Sequence, residues 1–328
     1  MEELKKITYA QAICEAQDEE MARDDNVILL GEEVAKAGGV WKTSAGLLEK
    51  YGPWRVRDTP ISEEGFTGLG IGAAFLGARP IIELMGIDFA PVCFDMILNN
   101  MSKFRYMTGG QVRVPMVVRM PEGGGRSAGA NHSQTLHALF AHIPGLKVAI
   151  PSTAAEAKGL LKTAIRDNDP VVFIEGRTEY SKRHQVPAGE YTIPFGKCRT
   201  AHEGTQLTIV ACGSLTLKAE KAVEALEKDG ISVELLDLRT LVPLDSDTIA
   251  DSVSKTGRLL IVDDANEDYG ITGEIAFRVM QKALDKLKMP IERLCWPNIP
   301  IPFSPGLEMP LVVSAQKIED RVRKMLNQ

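Results

Sequence analysis

Asp58-Thr59-Pro60-Ile61-Ser62-Glu63-Glu64-Gly65-Phe66 opens a segment with no charged side chain from Gly65 to Ala78. Pro60 biases Thr59 toward extended backbone, and Ser62 is a favourable N-cap. Gly68, Gly70, Gly72, Ala73 and Ala74 leave little bulk on the helix predicted to follow, so another backbone can approach it closely. Acids at a helix start offset the positive end of its macrodipole, and that alone accounts for Glu63 and Glu64. The uncharged run argues further: it predicts an internal helix, whose first acid is partly desolvated. Burial raises a carboxyl pKa and a helix terminus lowers it, so the sign of the sum is open at this stage. A poised carboxylate is the working expectation.

Upstream, Thr8 and Gln11 form a predicted capping box for a helix to Arg23, with Ile13, Ala16, Gln17 and Met21 on its apolar face. Val27-Ile28-Leu29-Leu30 reads as a buried strand that ends in Gly31-Glu32-Glu33, a second acidic pair. The carboxyl ends of strands are where open α/β sheets bind ligands, although a solvated loop is the simpler reading of Glu32 and Glu33. Ser44 to Tyr51 reads as a short helix.

Downstream, Pro80 to Leu84 reads as a strand, Met85 to Phe89 as its loop, and Pro91 as the first turn of a helix Val92 to Tyr106. Val114 to Met120 is a strand leading into the glycine-rich loop Pro121 to His132. Gly124 and Gly129 have P-loop spacing, but Ala130 and Asn131 stand where Lys and Ser or Thr are required. Gly68-Leu69-Gly70-Ile71-Gly72 mimics a dinucleotide fingerprint, yet it follows an acidic turn and not a strand. A flexible loop beside His132 better suits a lid carrying an acid-base group, followed by a helix Ser133 to Ala141. His132, His137 and His142 recur every five residues, about 140° apart on a helix, and form no metal-binding face. His137 and His142 read as structural.

Val148 to Ile150 is a strand, Thr153 and Glu156 cap a helix to Arg166, and Val171 to Glu175 is a strand. Regular pattern fades from Arg177 to Gln206. The alternation then resumes: strands at Leu207 to Ala211, Ser232 to Leu236, Leu259 to Val262 and Ile291 to Cys295, with helices Leu215 to Lys228, Asp245 to Lys255 and Thr272 to Lys286. In the last helix, Ile318, Val322, Met325 and Leu326 form a stripe for packing on its own domain. The domains are therefore read as 1–186 and 207–328, with a linker at 187–206. No catalytic constellation is visible in the second half.

The chain's 328 residues and 35.8 kDa suffice for two cores. A net charge of -6 and a pI near 5.6 argue against nucleic-acid or anionic-membrane partners. No run reaches the roughly 18 apolar residues of a membrane span. The start Met1-Glu2-Glu3-Leu4-Lys5-Lys6 has neither a secretory core nor transit-peptide character, which predicts a cytoplasmic protein or one whose address has been removed. Cys14, Cys93, Cys198, Cys212 and Cys295 are scattered and odd in number, consistent with reduced, buried thiols.

Several blocks carry a resemblance in the right order: Leu30-Gly31-Glu32-Glu33, Asp58-Thr59-Pro60-Ile61-Ser62-Glu63, His132-Ser133-Gln134, Pro144-Gly145-Leu146-Lys147-Val148, Ala157-Lys158-Gly159-Leu160-Leu161, Ile165-Arg166-Asp167 and Leu236-Asp237-Leu238-Arg239-Thr240-Leu241. Over nearly its whole length the chain resembles the beta subunit of the thiamine-diphosphate-dependent decarboxylating component of 2-oxo-acid dehydrogenase complexes. That group includes pyruvate, branched-chain and acetoin dehydrogenases.

The resemblance implies an α/β, transketolase-like fold of two α/β domains, a pyrimidine-binding domain and a transketolase C-terminal domain for dimerisation and acyltransferase docking. It implies an oxidoreductase that binds thiamine diphosphate with Mg2+ held mainly by an alpha subunit, in a heterotetramer of two alpha and two beta chains, and that acylates a lipoyl-bearing acyltransferase. This chain has no Gly-Asp-Gly motif, so it describes half of a site. Thiamine diphosphate adds as an ylid to a carbonyl and then accepts electrons from the departing carboxylate. By resemblance Glu63 is the catalytic acid on a pyrimidine nitrogen, Glu32, Ile61, Ser62, Met85 and Phe89 border that ring, and His132 serves acyl transfer. A monovalent cation, K+, is implied at Met116, Ala164, Asp167 and Asp169. Asp169 replaces the Asn of the pyruvate type, and Asn131 replaces the more common Gln before the His. Phe66 resembles pyruvate enzymes and Glu190 to Gly196 acetoin enzymes, so pyruvate is the favoured substrate, acetoin the alternative and branched-chain oxo acids follow. A nicotinamide-binding oxidoreductase and a non-catalytic scaffold are the readings from other classes.

Overall fold

A computed structural model describes residues 3–327. The chain forms two compact units, residues 3–122 with 139–195, and residues 123–138 with 196–327.

The first unit begins with β1 (Leu4–Thr8) and α1 (Tyr9–Arg23), followed by β2 (Val27–Gly31), α2 (Leu47–Tyr51), β3 (Val56–Asp58), α3 (Glu63–Phe75) and β4 (Arg79–Glu83). After α4 (Phe104–Met107) and β5 (Val117–Glu122), the chain returns through α5 (His137–Ala141), β6 (Lys147–Ala149), α6 (Ala154–Arg166), β7 (Val171–Gly176) and β8 (Arg183–Pro187). Its strands run parallel in the order β6-β7-β5-β4-β2-β3. This is the α/β pattern that alternating strands and helices impose.

Both predicted capping boxes are present. Thr8 accepts from the Gln11 N–H at 3.1 Å while Gln11 accepts from the Thr8 N–H at 2.9 Å, and Thr153 and Glu156 repeat the arrangement on α6. α1 packs on α6 through Ile13, Ala16 and Leu161, and the aliphatic stems of Lys158 and Lys162 are buried between them. Their ammonium groups end on Glu19, each at 2.6 Å. A long cationic side chain thereby serves a core while its charge stays paired.

Several expectations change, among them the helix Ser133 to Ala141, which is helical only over His137–Ala141. β1 and β8 form an antiparallel ribbon, with Leu4 opposite Pro187; β8 lies in the stretch where regular pattern fades and β1 in one given no element. The predicted helix Val92 to Tyr106 is broken into a 3-10 segment Ile87–Cys93, a π segment Met96–Met101 and the single turn of α4. Pro91 lies inside the 3-10 segment, where its missing N–H removes a donor, and the helix stays tight up to the Phe94 N–H to Pro91 bond. α3 is internal on one face only. Phe66, Thr67, Gly70, Ile71 and Ala74 are buried, whereas Leu69 faces out, as does Leu76 just past the helix end, at 91% exposure.

Gly70 is where α3 meets β4. A Cβ there would lie 2.8 Å from Ile82 Cδ1 and 3.2 Å from Met116 Cε. Gly70→Ala is therefore expected to lower stability by about 1 kcal/mol, because Ile82 Cδ1 and Met116 Cε, the free ends of two side chains, must shift to admit the methyl. The urea midpoint checks this; an unchanged midpoint would show that Ile82 re-packs freely.

The second unit contains β9 (Arg199–His202), β10 (Leu207–Ala211), α7 (Ser214–Lys228), β11 (Val233–Asp237), β12 (Thr240–Val242), α8 (Ser246–Thr256), β13 (Leu259–Asn266), α9 (Ile271–Ala283), β14 (Glu292–Trp296), α10 (Pro305–Glu308) and α11 (Ala315–Met325). Its sheet has the order β14-β13-β10-β11-β9, parallel except for β9. Ile318, Val322 and Met325 of α11 are buried against Leu215, Ala219 and Leu226 of α7 and the strands beneath, as the stripe predicts. No helix among the described residues is long and apolar enough to cross a membrane.

Candidate active site

In the first unit, Gly31 pairs with Asp58 on one side and Glu83 on the other, so β2, β3 and β4 reach their carboxyl ends at one level. Gly31 is required there, since a Cβ would sit 2.6 Å from the Glu83 carbonyl oxygen. The residues that follow these strands gather at that level: Glu32 after β2, Thr59 to Glu63 after β3, and Met85 to Phe89 after β4. Asp58 ties two of the connections together, accepting from the Ala35 N–H at 2.7 Å and the Lys36 N–H at 3.2 Å. The Thr59 N–H donates to the Gly31 carbonyl at 3.0 Å.

Glu63 occupies the first helical position of α3 and is 6% exposed; Glu32 is 5% exposed. Glu32 Oε1 is buried with no hydrogen-bond partner among the described residues. Burial first, and the neighbouring Glu63 carboxylate second, raise the Glu32 carboxyl above its ordinary value. Glu33 and Glu64 face solvent. Ser62 stands at the N-cap position but makes no side-chain cap bond, and Ile61 before it is 83% exposed. Beside them the Cys93 thiol is pushed up to about 11, chiefly by burial.

The Met85 to Phe89 loop is clamped by Arg177, which the sequence reading passed over. Arg177 Nη2 donates to Asp88 Oδ2 at 2.7 Å and to the Pro121 carbonyl at 3.0 Å. Gly86 admits that guanidinium, for a Cβ there would stand 2.7 Å from Nη2. Met85 and Phe89 are left half-buried. Beneath the loop, Arg119 bridges Glu83 and Glu175 within the sheet, at 2.7 Å to each.

In the second unit, His132 is exposed at the end of the glycine loop, whose base is closed by the Gly123 N–H donating to the Gln134 carbonyl at 3.1 Å. His137 is buried and paired with Asp263 at 3.2 Å, the structural role expected of it; His142 is exposed. Glu308, which sequence reasoning missed, fills the amides of the glycine loop with its own carboxylate. Glu63 and His132 thus belong to different units.

The glycine run Gly68 to Gly72 lies in the body of α3, where backbone N–H groups are spent on the helix and offer nothing to a dinucleotide phosphate. The four cation candidates cluster at the carboxyl end of α6. The Met116 carbonyl accepts from the Val171 N–H at 2.9 Å and the Ala164 carbonyl from the Asp167 N–H at 3.2 Å. Lys147 holds Asp167 at 2.6 Å and Asp169 at 3.3 Å, and Arg105 also pairs with Asp169.

Residues 5–182 match the family described as transketolase, pyrimidine binding domain, and residues 196–318 match transketolase, C-terminal domain. A solved split gene transketolase, an inactive beta4 tetramer, shares the fold with a TM-score of 0.79 at 23% identity, over 98% of both chains. The class is therefore a transketolase-type protein of two α/β domains.

The beta subunit of acetoin:2,6-dichlorophenolindophenol oxidoreductase from Cupriavidus necator is 47% identical over 98% of both chains. The pyruvate dehydrogenase E1 component subunit beta of Rickettsia felis is 44% identical over 98% of both, and a mitochondrial one from Oryza sativa is 43% identical over 97% of this chain and 86% of its own. This chain belongs to the family of E1 beta subunits of pyruvate and acetoin dehydrogenases, a thiamine-diphosphate-dependent family. A buried carboxylate oxygen lacking a partner among the described residues, beside a second buried acid, fits the pyrimidine end of that cofactor.

Proposed function

We propose that this chain supplies the pyrimidine side of a thiamine-diphosphate site in a 2-oxo-acid dehydrogenase that acts on pyruvate and passes the acyl group to a lipoyl-bearing acyltransferase. The observation that carries the reading is the acidic pair at the strand ends: Glu63 and Glu32 are buried, and Glu32 Oε1 has no hydrogen-bond partner among the described residues. When bound, thiamine diphosphate supplies a carbon nucleophile and an electron sink for decarboxylation. Glu63 holds the proton at a pyrimidine ring nitrogen. Glu32, with its raised pKa, keeps a proton more readily than a free carboxyl and so limits the repulsion within the pair. Ile61 and Ser62 border the ring, and Met85 and Phe89, held by the Arg177 clamp, exclude water from it. His132 moves the proton in acyl transfer.

In this reading an alpha partner holds the diphosphate and Mg2+, in an assembly of two alpha and two beta chains; the lack of a Gly-Asp-Gly motif in this chain supports that division. A monovalent cation at Met116, Ala164, Asp167 and Asp169 would rest on backbone carbonyls, since Lys147 and Arg105 already neutralise the carboxylates. The cytoplasm is the compartment that suits five free cysteines.

Acetoin is the second reading, favoured by the 47% identity to an acetoin enzyme subunit. The deciding experiment is dye reduction by the tagged chain purified with its copurifying partner, given thiamine diphosphate and Mg2+, with pyruvate and acetoin assayed in parallel. Pyruvate is expected to give the larger kcat/KM. A preference for acetoin reverses the order, inactivity with both points to branched-chain oxo acids, and the lack of any partner contradicts the half-site.

A further inference from the structure

We infer that Glu308 positions the loop that carries His132, an inference that rests on the role given to His132 above. The loop has no regular element to hold it. Gly123, Gly125, Ser127 and Gly129 have φ of 104°, 86°, 56° and 82°, so it turns repeatedly through the left-handed region, once at a residue with a side chain. Those turns aim the alternate N–H groups of Gly125 and Ser127 to one side, a concavity of the kind that collects anions.

The anion is supplied by the chain itself. Glu308 is 0% exposed. Its Oε1 accepts from the Gly125 N–H at 2.7 Å, and its Oε2 accepts from the Ser127 N–H at 2.6 Å and the Ser127 hydroxyl at 3.1 Å. A buried carboxylate is costly unless donors surround it, so carboxylate and loop conformation fix each other. The fit is close. A Cβ on Gly124 would stand 3.3 Å from Glu308 Oε1 and 3.4 Å from Ile301 Cδ1, and one on Gly129 would stand 3.4 Å from Phe303 Cδ2. The segment from Ile301 to Glu308 is the floor on which the loop lies. From that floor His132 leaves at the far end of the last turn, where its N–H reaches the Gly129 carbonyl at 3.3 Å. Glu308 meets the loop through Gly125 and Ser127 and acts on His132 by fixing that backbone, as a positioning residue.

The test uses the assembled enzyme with its copurified partner, thiamine diphosphate and Mg2+. Two rates are read for wild type, Glu308→Gln, His132→Ala and the double variant: dye reduction with pyruvate, and acetyl transfer to the lipoylated acyltransferase. Glu308→Gln is expected to slow acetyl transfer about tenfold or more, the scale of a lost charge-assisted hydrogen bond, and to slow it more than dye reduction. In the His132→Ala background it is expected to cost less than about threefold further, because the two residues act in series. Equal loss in both rates, wild-type transfer, or full additivity would overturn the inference. Wild-type transfer in His132→Ala instead overturns the role of His132, a separate result on a separate variant. If Glu308→Gln does not assemble, Ser127→Ala decides by the same comparison: a greater loss in transfer than in dye reduction supports the anchor, and any other outcome overturns it.

Discussion

Glu63→Gln is expected to lower turnover of the assembled enzyme by roughly 10²–10⁴-fold, the range lost with a positioned acid-base group. The substitution keeps shape and removes only the capacity to exchange a proton. Glu63 is buried at the start of α3, with Glu32 as its acidic neighbour, so bulk water is poorly placed to substitute for it. The fold has little reason to object: one of two close carboxylates is neutralised, which relieves repulsion, and the Glu32 pKa is expected to fall toward its ordinary value as the Coulombic push from Glu63 disappears. The measurement is steady-state dye reduction with pyruvate beside the thermal midpoint and the elution volume of the complex. A midpoint at or slightly above wild type with turnover lost is the expected pair. Turnover within about threefold of wild type would remove Glu63 from the acid-base role.

Much of this site was legible in the sequence because it is built from local rules. Pro60, Ser62 and the small residues that follow mark the start of α3 in one continuous stretch, and a buried acid falls at that start. The capping boxes at Thr8 and Thr153 were equally readable, since each needs residues only three apart. What escaped is made by pairs remote in sequence. Leu4 to Thr8 is too polar to declare itself a strand until Arg183 to Pro187 lies beside it. Arg177 on Asp88 and Glu308 on the glycine loop join residues whose local surroundings are ordinary turns. The uncharged face of α3 misled for a different reason: absence of charge does not distinguish a face buried by its own chain from one left outward, and Leu69 and Leu76 are outward here. One distant signal was available. Glu83, Arg119 and Glu175 each interrupt a strand that otherwise reads as wholly buried, and a charge in such a strand calls for a partner.

Arg119→Met is expected to cost about 3–5 kcal/mol of stability, the price of leaving buried charges unpaired. Register places Arg119 directly opposite Glu83, with Glu175 two residues further along the other neighbouring strand. Arg119 Nη1 also reaches Gln17 Oε1 at 3.2 Å, Thr43 donates to Glu83 at 2.9 Å, and the Tyr180 hydroxyl donates to Glu175 at 2.6 Å. Burial raises the Glu175 carboxyl even with Arg119 opposing it, and removing the guanidinium raises it further. A raised folded-state value means that the folded chain holds the proton more tightly than the unfolded chain. Below the unfolded value of about 4.3 both states are protonated and the penalty is absent. As pH rises from there the penalty accumulates in both proteins; it levels off first in wild type and later in the variant, whose folded value is the higher, so the two diverge only above the wild-type value. The deficit of Arg119→Met relative to wild type is therefore smaller at about pH 5.5 than at about pH 8, read from urea midpoints at each pH. Adding Glu175→Gln removes one stranded charge and should recover part of the loss at the higher pH. An equal deficit at both values, unmoved by the second substitution, would mean that lost packing of the arginine stem, not its charge, holds these three strands beneath the Met85 to Phe89 loop.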